Sequence, residues 1–560
     1  MKNIPIGEML KQYGYITEEQ LRKALNYQRQ NKSKYLSTIL IEMGYLKENQ
    51  ILEALGKILQ VPVVNIKTYD VRIDAVGKVP KQMALKHNLI GLKIQDGKLY
   101  IAIDDPLNFY ALEDVRQVTN MPLVICLADT KGISDAIEYY YAEIEAKLVA
   151  HQANTSAANN QAVLKPATNK QQEVDNTVPV VKLLNSLLMR GYSANASDIH
   201  IEPFEDIMLV RMRIDGMLVD YIKLAINLHS SLIARIKIVA NMDIAEKRLP
   251  QDGHFKTDIE GVEMNVRVSV IPTVYGEKAV MRFLSTDAKF DNSGQFGMDE
   301  ENYQKFITTL QNPHGIIYLT GPTGSGKTTT LYMAIEYLAR KQVNISTIED
   351  PVERNIPRIN QMQVNNVAGL TFESGLRALL RQDPDIIMVG ETRDAQTASI
   401  STRAAITGHL VLSTLHTNDA VSAIVRLADM GVPSYLIANS LVGVVAQRLV
   451  RKICPQCGYE YTPDEIERFA VGPNIHKVRK GKGCHLCNNT GYKGRMSIHE
   501  IISIDKNIRR MILHKESVDA IYEYALKSQK MKTLKDSMLD LVKRGVTTVE
   551  ELLKLTYYVE

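Results

Sequence analysis

The stretch LTGPTGSGKTTTLY, residues 319–332, constrains the fold of this chain more than any other segment. It carries the pattern Gly-x-x-x-x-Gly-Lys-Thr between an apolar run that predicts a strand and a run that predicts a helix. Glycines let the backbone N–H groups of such a loop point at phosphate oxygens. The segment therefore predicts a phosphate-binding loop formed by Gly321, Pro322, Thr323, Gly324, Ser325, Gly326, Lys327, Thr328 and Thr329.

Two side chains of this loop have predicted chemical roles. Lys327 is long enough to reach the β- and γ-phosphates of a nucleoside triphosphate, and the Thr328 hydroxyl is a ligand for Mg²⁺. The loop therefore predicts a bound nucleotide and Mg²⁺, but it does not say what the energy of hydrolysis drives.

Apolar runs alternate with helical segments from about residue 298 onward, which is typical of a parallel sheet. Three runs lead to polar side chains: NISTIE to Glu349, DIIMVG to Glu391 and HLVLSTL to His416. Parallel strands share one carboxyl edge, where Glu349 or Asp350 is predicted to orient the attacking water, Glu391 to hold Mg²⁺ and His416 to sense the γ-phosphate. Taken alone, an acid or a histidine after a strand is more often structural, so the combination carries the prediction.

The bulk composition limits the class of protein. The chain has 560 residues and a formal net charge of +4, so it predicts three or more domains and gives no electrostatic case for a nucleic-acid partner. No apolar run approaches the roughly 20 residues of a membrane span, and the first residues lack the apolar core of a signal peptide. We therefore expect a cytoplasmic protein whose five cysteines are reduced thiols or metal ligands.

Four of the cysteines form two Cys-x-x-Cys pairs, Cys454 with Cys457 and Cys484 with Cys487, with 26 residues between the pairs. Two such pairs predict a tetrahedral Zn²⁺ site, which is structural because four protein ligands leave no open position. The alternative is four buried thiols without a metal. Cys126 stands alone in LVICLA and is predicted to be a small core residue.

The amino-terminal half shows a repeat and a change of composition. IGEMLKQYGY from Ile6 recurs as LSTILIEMGY at an offset of 30 residues, and each copy predicts a helix, a Gly-Tyr break and a second helix. Thr17 with Gln20 forms a predicted capping box. Residues 146–176 are rich in Asn, Gln, Ala and Ser, which predicts a flexible linker.

A second domain is predicted from alternating strand patterns around one helix. It covers residues 177–288, with a hairpin turn at Asp215–Gly216, and a polar connector at 289–297 follows it. An Asp-Gly turn at Asp96–Gly97 predicts another hairpin in the first domain.

Together, these motifs resemble those of the secretion-superfamily ATPases of type II secretion systems and type IV pili. The matching segments are GPTGSGKTTTLY, STIEDPVE, LRALLRQDPDIIMVGETRD and TGHLVLSTLHTNDA, with ASDIHIEP, RIDG, MDIAEKRLPQDG and GEKAVMRFL in the second domain. The likeness covers nearly the whole chain and is most specific across about 180–500. Thr392 and Gln396 stand where Ile and Glu are usual.

The resemblance implies an α/β multidomain protein that assembles into a homohexameric ring. The implied parts are a GspE-like or MshEN-like helical-repeat α/β domain at 1–145, a linker at 146–176, a PAS-like α+β domain at 177–288, a linker at 289–297, and a RecA-like ATPase domain at 298–560 with a zinc insertion at 454–487. It also implies that Glu349 is the catalytic base and that Arg267 and Arg282 reach the nucleotide from the second domain. Further arginines of the site and of the subunit interface are implied at Arg377, Arg381 and Arg393.

The cysteine insertion and the amino-terminal extension are typical of relatives that drive assembly, whereas retraction ATPases generally lack both. We therefore predict an ATPase for type IV pilus assembly at the inner face of the cell membrane, with a polytopic inner-membrane platform protein as partner. Type II secretion or a DNA-uptake pseudopilus is the alternative.

The repeat resembles a domain that binds cyclic di-GMP in some relatives. Here Pro5 and Tyr35 replace its arginines and Ile58 replaces its second Gln, so the cations that pair with phosphate are missing. We therefore favour a helical docking module over cyclic di-GMP binding.

Two rival classes remain open at this point. A nucleic-acid motor is disfavoured because the chain shows no basic aromatic groove signature, and KVRKGKG at 477–483 fits a solvated face better. A nucleotide-controlled scaffold differs from a motor by its negligible steady-state release of phosphate.

Overall fold

The computed structural model describes residues 6–30, 39–40, 43–46, 48–66, 68–106, 108–161, 171–284 and 296–557. The chain divides into two compact units. The amino-terminal unit comprises Met1–Val262 and Val266–Phe283, and the carboxy-terminal unit comprises Glu263–Asn265 and Leu284–Glu560. The first two predicted domains therefore lie together in one unit.

Short helices form the beginning of the amino-terminal unit, at α1 (Ile6–Gln12), α2 (Glu18–Gln30) and α3 (Glu48–Leu59). Gly14 and Gly44 have φ angles of 74° and 69°, so each Gly-Tyr break places a glycine in the left-handed region. The predicted capping box is confirmed, because Thr17 N donates to Gln20 Oε1 at 2.8 Å and Gln20 N donates to Thr17 Oγ1 at 3.3 Å. Pro5 and Tyr35 lie outside the described residues.

A three-stranded sheet follows, in the order β1 (Leu89–Gln95), β2 (Lys98–Ile103), β3 (Leu123–Leu127). The first two strands are antiparallel around the predicted Asp96–Gly97 turn. Cys126 is 2% exposed on β3, which confirms that it is a core residue. Three helices flank these strands: α4 (Ile73–Val76), α5 (Lys81–His87) and α6 (Phe109–Thr119).

Two long helices stand where the sequence predicted a flexible linker at 146–176: α7 (Thr130–Gln161) and α8 (Gln171–Ser193). The structure thus corrects that prediction for the described part of the segment, and 162–170 lie outside the described residues. Ala146, Ala150 and Ala153 are buried at a spacing that lines one face of α7. Small alanines gave no strong apolar signal in the sequence, yet they bury a helix face as well as larger residues do.

A buried ion pair joins the two long helices. Arg190 on α8 pairs with Glu143 on α7, and the Arg190 guanidinium lies 4.5 Å from the Tyr139 ring centroid and 5.7 Å from that of Tyr221. Arg190 is 2% exposed, so its charge is compensated by the acid and by the aromatic faces rather than by water.

The second sheet of this unit has six strands in the order β6-β5-β4-β9-β8-β7. The predicted Asp215–Gly216 turn joins β5 to β6, with φ angles of 50° and 85°. The helix α9 (His229–Val239) follows β6 in the chain. The strands are β4 (Ala196–Pro203), β5 (Ile207–Ile214), β6 (Met217–Ala225), β7 (Gln251–Ile259), β8 (Val262–Thr273) and β9 (Gly276–Leu284).

The carboxy-terminal unit is built on a seven-stranded sheet in the order β12-β11-β13-β14-β10-β15-β18. The pairs from β12 to β15 are parallel and only β15 with β18 is antiparallel, so the predicted parallel sheet is confirmed. The strands are β10 (Gly315–Thr320), β11 (Ile345–Glu349), β12 (Asn360–Gln363), β13 (Ile386–Val389), β14 (Leu410–Leu415), β15 (Leu441–Ile453) and β18 (Tyr492–Ser503).

Helices cover this sheet, and β10, β13 and β14 are buried along their whole length. A two-stranded sheet of β16 (Gly458–Tyr461) and β17 (Val478–Gly481) lies in the predicted zinc insertion. The helices are α10 (Glu300–Leu310), α11 (Lys327–Leu338), α12 (Phe372–Leu379), α13 (Ala395–Ile406), α14 (Ser422–Asp429), α15 (Ser434–Ser440), α16 (Glu465–Val471), α17 (Lys506–Leu513), α18 (Val518–Ser528), α19 (Leu534–Lys543) and α20 (Val549–Tyr557).

Within the described ranges, no helix combines the length and the apolarity needed to cross a bilayer. The predicted connector at 289–297 lies, apart from its last two residues, outside the described residues.

Candidate active site

The phosphate-binding loop joins β10 to α11, as the sequence predicted. Gly321 and Gly326 have φ angles of 146° and 87°, which side chains other than glycine rarely adopt. A Cβ atom at Gly321 would lie 2.4 Å from the Gln447 backbone oxygen, and one at Gly326 would lie 2.8 Å from Gln447 Nε2. Glycine is therefore required at both positions by backbone conformation and by the close approach of β15.

Lys327 begins α11 with its side chain turned back over the loop. It is 8% exposed, and its Nζ donates to Gly321 O at 2.7 Å and to Pro322 O at 3.0 Å. Burial, and to a smaller extent the charge of Arg448, lower the pKa of Lys327 to about 8 against the opposing effect of Glu391. Phosphate oxygens would replace the two carbonyl acceptors and favour the charged ammonium.

Gln447 supports the loop from the neighbouring strand. Its Nε2 donates to Ser325 O at 2.9 Å, and its Oε1 accepts from Thr330 Oγ1 at 2.8 Å. Gln447 is 2% exposed, so both bonds are shielded from water. This residue was missed from the sequence, because no pattern indicated that β15 pairs with β10.

Glu349 is the last residue of β11 and is 2% exposed. Its Oε1 accepts from Thr347 Oγ1 at 2.5 Å and from Gln361 Nε2 at 3.1 Å, and its Oε2 accepts from the Tyr332 hydroxyl. A buried carboxylate with three donors is satisfied without a cation. The sequence predicted the position of Glu349 but none of these partners.

Glu391 and His416 lie at the same edge, after β13 and β14. Arg393 Nε lies 2.6 Å from Glu391 Oε2, and His416 Nε2 lies 3.9 Å from the same oxygen. Thr414 Oγ1 donates to Gly390 O at 2.9 Å, which ties the two strand ends together. Burial lowers the pKa of His416, and the nearby Lys327 charge adds to this, so the imidazole is neutral at pH 7.

A cavity of about 550 Å³ lies between these elements. We call it the nucleotide cavity, and it brings together the phosphate-binding loop from Thr323 to Thr329 with Glu349, Glu391, Arg393 and His416. Asp350 also lines it, together with side chains that the sequence did not single out: Tyr332, Glu353, Arg354, Phe372, Leu449 and Arg495.

The remaining predicted arginines do not line this cavity. Arg377 and Arg381 face a separate cavity of about 560 Å³ beside Arg403 on α13, so their predicted contact with nucleotide or with a neighbouring subunit stays a prediction. Arg282 belongs to the amino-terminal unit, where its Nε lies 2.8 Å from Asp198 Oδ1. Arg267 is an exposed residue of β8 in the same unit.

The four paired cysteines converge as predicted, and we call Cys454, Cys457, Cys484 and Cys487 the cysteine cluster. Their sulfur atoms all lie within 4.8 Å of one another. The Sγ–Sγ distances include 3.7 Å for Cys454 with Cys484 and 3.9 Å for Cys457 with Cys487. A tetrahedron with metal–sulfur bonds of about 2.3 Å has edges of about 3.8 Å, so the arrangement fits Zn²⁺.

A phosphate-binding loop between a buried strand and a helix, with carboxylates at the adjoining strand ends, defines a P-loop nucleoside triphosphate hydrolase. The chain belongs to the type II/IV secretion system protein family, whose family model matches residues 173–554. It is an ATP hydrolase of that family. A second family model, for the MshEN domain, matches residues 59–147 and thus covers the three-stranded sheet rather than the repeat before it.

Relatives with high coverage carry two kinds of name. The chain is 38% identical over 564 residues, 98% of each chain, to a type IV pilus assembly ATPase, PilB, of Myxococcus xanthus. It is 38% identical over 532 residues, 93% of each chain, to a type II secretion system protein E of Xanthomonas campestris. The solved structure of the ATPase DotB from Yersinia pseudotuberculosis is similar in fold, with a TM-score of 0.51, 19% identity and coverage of 67% of this chain and 93% of that one.

Proposed function

We propose that this chain is the ATPase motor that powers the assembly of type IV pilin fibres. The proposal is supported by the 38% identity across 98% of both chains to the pilus assembly ATPase of Myxococcus xanthus. The observation that carries its chemistry is the nucleotide cavity, in which Lys327, Glu349 and Glu391 face one space.

The roles of the residues follow from their places around the cavity. Lys327 and the loop N–H groups bind the β- and γ-phosphates, and Thr328 with Glu391 would hold Mg²⁺. When bound, Mg²⁺ neutralises phosphate charge that develops during hydrolysis. Glu349 would take a proton from the attacking water, and His416 and Arg393, which line the same cavity, would contact the γ-phosphate.

Substitution of the two central residues tests this assignment. Glu349→Gln should bind ATP with wild-type affinity and hydrolyse it about 10²- to 10⁴-fold more slowly, because the base is lost while the loop is intact. Lys327→Ala should instead weaken binding itself. Steady-state phosphate release and equilibrium ATP titration separate the two effects, and equal turnover of Glu349→Gln and wild type would remove Glu349 from the role.

Zinc is proposed for the cysteine cluster. The spacing of the sulfur atoms supports it, as does the donation of backbone N–H groups of Cys484 and Gly491 to Cys487 Sγ at 3.2 and 3.3 Å. Such bonds stabilise a thiolate, which is the form that binds a metal.

A homohexamer is proposed as the working state, in which Arg267 and Arg282 of the PAS-like domain contribute to the nucleotide sites. The resemblance to ring-forming relatives supports it. An inner-membrane platform protein is the proposed mechanical partner, which places the motor at the inner face of the cell membrane. Specific activity that stays flat on dilution, with only monomer by size-exclusion chromatography, contradicts the ring.

Type II secretion is the second candidate, because the protein E of Xanthomonas campestris is equally identical over 93% of both chains. Deletion of the gene separates the two functions. Loss of surface pili with normal export of secreted enzymes supports pilus assembly, and the reverse supports secretion.

Cyclic di-GMP binding is disfavoured, since Pro5 and Tyr35 stand where arginines bind the phosphates in relatives. Calorimetry with the full chain should therefore detect weak binding or none. Tight binding overturns this preference.

A further inference from the structure

The carboxylate of Glu349 is held by donors on three different elements. Tyr332 lies on α11, which begins at the phosphate-binding loop, whereas Thr347 lies on β11 and Gln361 on β12. The adjacent strands place Thr347 directly beside Gln361 in the parallel register. One helix and two strands therefore fix the rotation of a single carboxylate.

Each donor is fixed in turn by other groups. The Tyr332 oxygen accepts from Glu353 N at 3.0 Å, and the tyrosine is 2% exposed. Gln361 Nε2 also donates to Arg354 O at 3.0 Å, and its Oε1 accepts from Ile356 N at 2.7 Å. Because the amide is bonded at both ends, it cannot rotate away from Glu349 without losing several hydrogen bonds.

The two carboxylate oxygens of Glu349 differ in how many further hydrogen bonds each can accept. A carboxylate oxygen offers two lone-pair positions. Oε1 uses both, for Thr347 and Gln361, whereas Oε2 uses one, for Tyr332. Oε2 therefore keeps one acceptor position beyond its bond to Tyr332, and Glu349 and Tyr332 both line the nucleotide cavity.

We propose that Tyr332 is a positioning residue for hydrolysis, which holds Glu349 so that Oε2 alone receives the proton of the attacking water. This inference rests on the proposed role of Glu349 as the base. The water oxygen forms a bond to the γ-phosphorus, the bond from that phosphorus to the bridging oxygen of ADP breaks, and the proton moves to Oε2. The products are ADP and inorganic phosphate, and Tyr332 keeps its proton throughout.

The Tyr332 hydroxyl is suited to act as a hydrogen-bond donor that keeps its proton. Burial raises the pKa of Tyr332 far above its usual value, and the hydrogen bond to Glu349 raises it further. The hydroxyl therefore stays protonated near neutral pH and donates its hydrogen to Oε2.

Tyr332→Phe in the full chain tests the inference, since it deletes one oxygen and keeps the ring. The turnover number should fall about 10- to 100-fold, as expected for a lost hydrogen bond to a charged group. The dissociation constant for ATP should stay within about twofold, because the loop contacts of Lys327 are unchanged. A structural role alone would lower the amount of folded protein and leave kcat per folded site unaltered.

Tyr492→Phe is the matched control. The Tyr492 hydroxyl is bonded to Glu550 at 3.1 Å and to Thr548 at 2.9 Å, so it also serves a carboxylate, but Tyr492 does not line the nucleotide cavity. This variant should keep the wild-type kcat.

Three outcomes decide between the claims. If Glu349→Gln hydrolyses ATP like wild type, the base assignment and this inference both fail. If Glu349→Gln loses turnover while Tyr332→Phe matches Tyr492→Phe, only the positioning role is overturned. Should Tyr332→Phe not fold, Thr347→Val replaces it, because it removes a donor from the same carboxylate at constant shape, and an unchanged kcat there overturns the inference.

Discussion

The nucleotide cavity and the cysteine cluster lie in the same unit, and both gather side chains from distant parts of the sequence. They differ in how much space they leave for a ligand. The cavity encloses about 550 Å³ and keeps an acceptor position open on Glu349. The four sulfur atoms of the cluster all lie within 4.8 Å of one another. An open site admits substrate and releases product, whereas a closed site holds the chain together. The two sites should therefore respond differently to substitution.

The largest effect is expected at the closed site. Cys457→Ser should abolish binding of one Zn²⁺ per chain, and structural zinc sites contribute apparent free energies of about 10 kcal/mol or more. Metal analysis of protein purified without chelators, together with limited proteolysis of the region 441–503, measures the loss. Cys126→Ser is the control, because Cys126 lies in the other unit and should leave the zinc content unchanged. Wild-type protein free of zinc would contradict the closed-site interpretation.

The next effect tests the proposed contribution of Arg282 to ATP turnover. Arg282→Ala should lower ATP turnover about 10³-fold, as expected for an arginine that stabilises phosphate charge, while folding and ATP binding persist. Arg213→Ala is the control, since Arg213 also lies near Asp198, at 3.7 Å, and its loss disturbs the same acid. Equal phosphate release by both variants would show that only the ion pair with Asp198 matters.

A second buried acid sharpens the comparison, because Glu500 is as buried as Glu349, at 2% exposure, but lies away from the nucleotide cavity. Its oxygens accept from the backbone of Ala420 at 2.9 Å and Leu534 at 3.3 Å. Burial raises the pKa of Glu500 from 4.5 to about 7. Glu500 therefore anchors two backbone segments, whereas the side-chain donors and the cavity around Glu349 support its proposed role as the base.

The pH dependence of stability tests this distinction. A raised pKa in the folded state stabilises fully below pH 4.5, and the effect is lost as the pH rises through about 7. Relative to Glu500→Gln, the wild type should therefore lose about 3 kcal/mol of stability across that window, with little change in turnover. Denaturant unfolding at several pH values measures the difference. A difference that does not vary with pH would refute the anchor role of Glu500.

The smallest effect is expected where β15 supports the loop. Gln447→Ala leaves Ser325 O and the Thr330 hydroxyl without their partners, which should weaken ATP binding about tenfold. Titration with a fluorescent ATP analogue measures it. Unchanged affinity would show that the glycines alone fix the shape of the loop.

Local sequence patterns were sufficient to predict several structural features of this protein. Glycines at positions that need a positive φ identified the phosphate-binding loop and the two Asp-Gly turns, since only short-range sterics are involved. The spacing of the cysteine pairs indicated their convergence, because a metal site needs four ligands whatever fold surrounds them. The alternation of strands and helices indicated the parallel sheet and the edge where Glu349, Glu391 and His416 meet.

Tertiary structure decided the remaining features of the site and the fold, because these features depend on which elements become neighbours. The order of the strands brings Gln447 under the loop and Gln361 beside Thr347, and no local pattern encodes that order. The helices α7 and α8 replace the predicted linker because a stripe of alanines and the buried pair of Glu143 with Arg190 stabilise them only once they are packed. The sequence by itself predicted the groups that we propose carry the chemistry, and the packing of distant elements determined how Tyr332 and its neighbours hold the carboxylate of Glu349.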